Sequence, residues 1–128
     1  MSQTIANVTL LVPDYDAGIA FYVGQLGFEL LEDTKLSQTK RWVRVAPAGA
    51  ETALLLAKAD GAAQEAAIGN QTGGRVSFFL YTDDFARDYA AMQAKGVTFR
   101  EAPRHEPYGS VAVFEDPFDN LWDLIEPA

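Results

Sequence analysis

Two pairs of aspartates have a residue type and spacing that suit acid–base chemistry. Asp14 and Asp16 form one pair, and Asp83 and Asp84 form the other. Closely spaced carboxylates are a common arrangement for general acid–base catalysis. Each pair, however, follows a strand-like apolar run and precedes a helix-like one, where carboxylates accept hydrogen bonds from free backbone N–H groups. Helix capping explains both pairs, and we expect no catalysis there.

His105 and Tyr108 are two further side chains with useful chemistry, and both lie in a proline-flanked, irregular segment at residues 102–109. An imidazole can bind a metal ion or transfer a proton near neutral pH. The only histidine of a chain is nevertheless more often a solvated loop residue, so we do not predict a metal ligand at His105. Tyr108 either binds or protonates a ligand at the end of this loop, or packs on Pro107 at the surface.

The elements that position these residues follow a pattern that occurs twice. Residues 5–12 and 75–82 each read as a buried strand, followed by acidic caps and a helix that stops at Gly27 or Gly96. A pattern repeated only twice indicates two fused modules rather than a solenoid. We therefore predict that the modules close around one core, with any site at that closure.

Each module continues into further strands. In the first, residues 40–46 and 52–57 predict a hairpin after a strand at 28–32, and in the second we expect strands at 97–101, 110–115 and 121–126. The alanine-rich and then glycine-rich stretch between the modules predicts a short helix and a hinge. The predicted organisation is one domain over residues 1–128, with module 1 at 4–58, a linker at 59–74 and module 2 at 75–127.

Composition limits the partners. The chain has 10 Lys+Arg and 18 Asp+Glu, a formal net charge of −8, which disfavours nucleic acid and anionic membrane surfaces. It has no cysteine for a disulfide or thiolate, and neither a basic leader nor a long apolar run at its start. We expect a soluble, cytoplasmic protein.

The chain resembles the glyoxalase/bleomycin-resistance/extradiol-dioxygenase superfamily, also called vicinal oxygen chelate proteins. The resemblance covers its whole length and is strongest at residues 13–16, 20–22 and 26–30 and in the closing residues 114–124. It implies an α+β fold in which two βαβββ modules form a curved, cup-shaped mixed sheet with helices outside. The family's closing pattern normally has glycine at Asp119, and we expect the turn to survive because aspartate tolerates a left-handed conformation.

In metal-dependent members, two strand His/Glu pairs hold a divalent ion inside the cup. The resemblance places these four positions at Asn7, Leu55, Ser77 and Asp123. Only Asp123 is a good ligand, whereas such ions need two or more charged or imidazole donors. We therefore predict no metal ion and no cofactor.

Strand alternation predicts which side chains share the cup with these positions. If Asn7 faces inward, so does Thr9, with Phe79 and Tyr81 opposite, beside Ser77 and Asp123. The predicted ligand-binding residues are Asn7, Thr9, Leu55, Ser77, Phe79, Tyr81 and Asp123, which suit a mostly apolar pocket with a few polar anchors. The alternative is a filled core in which Asn7, Ser77 and Asp123 hydrogen-bond one another. Trp42 and Arg44 share one face of their strand, and Arg41 lies on the other. Either one face contacts ligand and the other a second subunit, or both arginines are simply solvated.

Three functional classes follow from this resemblance. The first is a metal-independent protein that binds a small organic molecule, cationic or aromatic, and forms a homodimer. The second is a lyase, isomerase or dioxygenase that uses a non-standard metal site at Asn7, Ser77 and Asp123, or no metal, with Asp123 and Tyr108 as catalytic candidates. The third is a structural module with a filled cup. Fold alone does not choose among them, and we favour the first.

Overall fold

The computed structural model describes residues 2–128 and divides into two compact units, the first ending at Ile68 and the second running from Gly69 to Ala128. This boundary falls inside the predicted linker at residues 59–74. Each unit has one sheet and the strand–helix–strand order of a βαβββ module, so the predicted α+β fold class is confirmed. Within the described residues, no helix combines the length and apolar character needed to cross a membrane.

The first unit has a four-stranded sheet in the order β1-β4-β3-β2. Its elements are β1 (Asn7–Val12), α1 (Tyr15–Ile19), a π-helical turn (Ala20–Gln25), β2 (Glu29–Lys35), β3 (Arg41–Ala46), β4 (Ala53–Lys58) and α2 (Ala62–Ala67). β1 runs parallel to β4, whereas β3 is antiparallel to both β4 and β2. The predicted hairpin and the short linker helix are both present.

The first helix begins as expected but does not remain α-helical. Asp14 caps α1 by accepting a hydrogen bond from the N–H of Ala17 at 2.9 Å. The π-helical turn then follows, and it places both Phe21 and Tyr22 in the core. The predicted helix therefore ends near Gly27 as expected, but its second half is π-helical rather than α-helical, with a wider turn than an α-helix. Gly18 lets α1 approach the sheet, since a Cβ there would lie 3.0 Å from Leu56 Cδ1.

The second unit has a five-stranded sheet in the order β5-β9-β8-β6, with β7 also paired to β8. Its elements are β5 (Phe78–Tyr81), α3 (Phe85–Ala94), β6 (Thr98–Phe99), β7 (Arg104–Glu106), β8 (Gly109–Glu115) and β9 (Leu121–Pro127). Because β7 lies in the segment predicted to be irregular at residues 102–109, that prediction was wrong in part. Asp84 caps α3 through the N–H of Arg87 at 3.1 Å.

An aromatic cluster between α3 and the second sheet forms this unit's core. Trp122 packs against Phe78 and Phe114, with ring centroids 4.6 and 5.6 Å apart, and Tyr89 of α3 contacts Phe99 at 4.5 Å. Such rings bury large apolar areas. The cluster fixes which face of the sheet α3 covers, and hence which face lacks a helix.

The turn between β8 and β9 survives without the family's glycine. Asp119 has a φ of 74°, in the left-handed region. The buried Asp116 carboxylate accepts hydrogen bonds from the backbone N–H groups of Phe118 and Asn120, both at 2.9 Å, and from the Asn120 side chain at 2.7 Å. The left-handed Asp119 was predicted from the sequence, whereas the Asp116 bonds that hold the turn in place were not.

Candidate functional site

The helix-free face of the second sheet exposes two aromatic side chains. In the register of β5 and β9, Phe79 pairs with Asp123, which in turn pairs with Val113 of β8. Strand alternation directs these residues, with Tyr81, away from the aromatic cluster under α3. We call this surface the Phe79 face, made up of Phe79, Tyr81, Val113 and Asp123. Phe79 is 61% exposed and Tyr81 is 69% exposed.

This exposure decides against the filled-core alternative at Phe79 and Tyr81. A core aromatic would be almost inaccessible, as Phe114 is in the same sheet. The hydrogen bonds proposed for a filled core are not those observed either. The Asn7 side chain accepts from Arg44, and Ser77 Oγ lies 3.4 Å from Thr72 Oγ1.

Asp123 is the polar member of the Phe79 face. Its Oδ1 is buried and has no hydrogen-bond partner within residues 2–128. Burial raises the pKa of this carboxyl above its usual 3.8; the positive charge of Arg104 opposes the rise and the negative charge of Glu101 adds to it. A buried acceptor without a partner is uncommon in folded proteins, so Asp123 is a candidate for contact with a ligand or a proton.

An ion-pair cluster lies beside Asp123. Arg104 Nε donates to both oxygens of Glu101, at 3.0 and 3.1 Å, and Arg104 Nη1 lies 3.7 Å from Glu106. Tyr108 Oη accepts a hydrogen bond from Arg104 Nη1 at 3.4 Å, while the tyrosine ring remains exposed. Two carboxylates therefore neutralise the one guanidinium, and the surroundings of Asp123 are net negative.

In the first unit, the predicted site residues lie on the sheet face opposite α1. Thr9 pairs with Leu55, and Leu55 pairs with Arg44. Arg44 Nε donates a hydrogen bond of 2.7 Å to Asn7 Oδ1, and Arg44 Nη1 lies 3.9 Å from Glu32. We call this polar surface the Arg44 face; its members are Asn7, Thr9, Glu32, Arg44 and Leu55.

The side chains present do not fit the metal ion that the family's metal-dependent members hold. Leu55 offers no donor, and the Asn7 amide oxygen is already bound by a guanidinium. Ser77 supplies only a hydroxyl, so Asp123 is the one charged donor at the four positions. Over residues 2–128, no group of three or more His, Asp or Glu side chains is arranged to hold a metal. These four positions therefore do not make a metal site.

The remaining chemically active side chains have local structural roles. His105 is exposed, and its Nδ1 lies 2.9 Å from Ser110 Oγ in the neighbouring strand. Asp16 forms an ion pair with Arg41 at 2.9 Å, and Asp83 forms one with Arg87 at 3.0 Å. Helix capping therefore accounts for Asp14 and Asp84 only. The other aspartate of each pair forms an ion pair with an arginine instead.

The structure also reveals site residues that sequence reasoning missed. The Glu101–Arg104 pair next to Asp123 was not predicted, although an acidic and a basic residue three apart suggest an ion pair. Arg44 was placed on the same face as Trp42, but its bond to Asn7 joins residues 37 positions apart. No local pattern indicates such a contact. The contact follows only from the register of β1 and β3 against β4.

Comparisons with known proteins agree with this architecture. A family model described as the Glyoxalase/Bleomycin resistance protein/Dioxygenase superfamily matches residues 4–124. An uncharacterized protein of Shewanella frigidimarina (strain NCIMB 400) is 52% identical over 128 residues, 98% of this chain and 95% of that protein. The crystal structure of UcmS2 is similar with a TM-score of 0.85 at 29% identity, covering 98% of this chain and 99% of that one. TnmS3, an antibiotic binding protein from Streptomyces sp. CB03234, gives a TM-score of 0.79 at 31% identity, covering 99% and 98%.

Proposed function

Because the chain belongs to the glyoxalase/bleomycin resistance protein/dioxygenase superfamily, we propose that it binds a planar aromatic small molecule, neutral or cationic, without a metal ion. The protein holds this molecule on the Phe79 face and does not transform it. The single observation that carries the proposal is the exposure of Phe79 and Tyr81 beside a carboxyl oxygen that has no partner.

The aromatic part of the proposal rests on strand geometry. Phe79 and Tyr81 are two residues apart on one strand, so their side chains emerge on the same face about 7 Å apart. Two exposed rings at this spacing offer a flat ligand both apolar area and stacking contacts. Their helix-side neighbour Phe78 is instead packed on Trp122. The sequence therefore places aromatic side chains on both faces of β5, although one face suffices for the core.

The charge of the ligand follows from the surroundings of Asp123. Glu101 and Glu106 outnumber Arg104, and the whole chain carries a net charge of −8. Such a field attracts cations and repels phosphate-rich compounds. A ligand N–H or O–H group would also supply the hydrogen bond that Asp123 Oδ1 lacks. TnmS3, described as antibiotic binding, makes antibiotic-like organic compounds the first class to test.

A direct binding titration tests this proposal. Proflavine, a planar aromatic cation, is titrated with the protein and followed by fluorescence anisotropy. Phe79→Ala and Tyr81→Ala are each expected to weaken binding by about 5- to 150-fold, equivalent to about 1–3 kcal/mol of lost aromatic contact. Leu36→Ala removes an exposed apolar side chain from the first unit and serves as the matched control. Equal affinity in all four proteins would refute the proposal.

One observation favours a second candidate, metal-free acid–base catalysis. Asp123 is partly buried and its pKa is raised, as is common for catalytic carboxyls. The Tyr108 hydroxyl accepts a hydrogen bond from Arg104, whose charge acts on Asp123. Mass spectrometry of candidate ligands after incubation separates the two functions. Turnover that is lost in Asp123→Asn would support an enzyme, whereas unchanged ligands support binding alone.

The proposal also includes a homodimer in the cytoplasm. β2 is an edge strand, and it presents the exposed Leu30 and Leu31 near a register shift in its pairing with β3. Unpaired edges with apolar side chains favour association.

A further inference from the structure

We propose that the Arg44 face binds the carboxylate of an aromatic compound through the guanidinium of Arg44. This goes beyond the function proposed for the Phe79 face, because it assigns a ligand group of the opposite charge to side chains of the first unit. In the family's metal-dependent members, the position of Asn7 binds a cation, so the resemblance does not predict an anion there.

The orientation of Arg44 is fixed by its neighbours. Asn7 Oδ1 accepts from Arg44 Nε at 2.7 Å, which holds the planar guanidinium across β4 rather than letting it extend into solvent. Leu55, the cross-strand neighbour of Arg44, lies beneath this span and donates nothing. A pre-oriented guanidinium loses less side-chain freedom when it binds an anion.

Most of the donors of Arg44 remain available. A guanidinium has five N–H groups. Among residues 2–128, Asn7 accepts one of them, and the 3.9 Å separation from Glu32 is an ion-pair distance rather than a hydrogen bond. The Arg44 side chain is 25% exposed, so part of it is open to a ligand.

The environment selects a carboxylate on a ring rather than a free inorganic anion. Trp42 lies two residues before Arg44 on the same face of β3, and it is partly exposed. A carboxylate accepts two parallel hydrogen bonds from one guanidinium, while the attached ring can lie against Trp42. Glu32 near the guanidinium and the net charge of −8 oppose anions that bind by charge alone, such as phosphate.

Arg41, three residues away on the other face, shows the contrast. Its guanidinium donates to Asp33 at 2.7 and 3.1 Å and to Asp16 at 2.9 Å, and it lies over the ring of Tyr15. These contacts join α1 to the sheet and use its donors. Arg41 is therefore structural, and Arg44 is the arginine of β3 that remains free to bind a ligand.

The test compares 2-naphthoate with 2-naphthamide, which has the same ring system and no charge. Calorimetric titration of the wild type is expected to show tighter binding of the naphthoate. Arg44→Gln should weaken naphthoate binding by about 10- to 100-fold, the usual effect of losing charge-assisted hydrogen bonds. Arg100→Gln removes a charge from an exposed ion pair with Glu115 and should leave binding unchanged.

Asn7→Asp is a second variant that separates loss of binding from loss of folding. This change keeps the side-chain volume and gives Arg44 a carboxylate partner in place of the amide, so the protein should keep its melting temperature and lose naphthoate binding. The inference is overturned if the wild type does not prefer naphthoate, or if Arg44→Gln or Asn7→Asp binds it as the wild type does. The proflavine titration of Phe79→Ala and Tyr81→Ala is a separate measurement, so failure at either face is recognised separately.

Discussion

Replacing Asp123 by asparagine should stabilise the protein at neutral pH. The change removes the charge of a carboxyl whose Oδ1 is buried without a partner. An unpaired buried polar group costs about 1–3 kcal/mol, and more when it is charged. The carboxyl is only partly buried, so solvent screening reduces the effect. We therefore expect Asp123→Asn to raise the free energy of unfolding at pH 7 by about 1 kcal/mol.

The gain should depend on pH with a defined sign. Burial raises the pKa of Asp123 in the folded protein above the value of 3.8 expected for the unfolded chain. The folded state therefore holds this proton more tightly. The resulting stabilisation is fully present below pH 3.8 and is lost as the pH rises through the folded-state pKa. The variant lacks this dependence, so its advantage should be absent at pH 3 and should grow as the pH rises to 7.

Urea unfolding of wild type and variant at these two pH values measures the effect. Asp60→Asn, which removes an exposed carboxylate from the first unit, controls for the reduced net charge. A gain in Asp123→Asn that is equal at both pH values, or no larger than that of Asp60→Asn, would refute the reasoning. It would mean that burial does not raise the pKa of Asp123.

The remaining predictions concern metal, assembly and the two kinds of aromatic side chain. Elemental analysis of purified protein should find no stoichiometric Mn, Ni, Zn or Fe; about one tightly held ion per chain that is lost in Asp123→Ala would contradict this. Sedimentation at micromolar concentration should show a dimer, and Leu31→Lys on the edge strand should shift it toward monomer; a wild type that is only monomeric would count against the homodimer. Phe79→Ala should lower the free energy of unfolding by about 1 kcal/mol or less, because Phe79 is 61% exposed. Phe114 is fully buried, so Phe114→Ala should lower it by about 3–5 kcal/mol. Similar losses in both variants would mean that Phe79 is a core residue.

Local patterns predicted the parts of the fold that local forces decide. The caps at Asp14 and Asp84 follow from aspartates at the starts of helices, and they are present. The turn at Asp119 was predicted from the tolerance of aspartate for positive φ. The π-helical turn was not predicted, because apolar spacing does not separate it from an α-helix. β7 was missed because it has only three residues, in a proline-flanked segment.

The candidate site was predictable only in part. Alternation correctly placed Phe79, Tyr81 and Asp123 on one face, because it needs only the period of a strand. It did not predict that Asn7 bonds to Arg44, or that Arg104 and Glu101 adjoin Asp123. Those contacts depend on the register between strands and on a loop conformation, which tertiary packing decides. That both faces line one cavity remains a prediction.

The most direct test of the central claim is to observe where an aromatic ligand binds. Aromatic ¹H–¹³C NMR spectra recorded during a proflavine titration report on each ring separately. We expect the Phe79 and Tyr81 resonances to shift upfield and saturate together, while those of the buried Phe114 stay in place. Unchanged Phe79 and Tyr81 resonances at saturating proflavine would contradict the claim that the Phe79 face is the binding site.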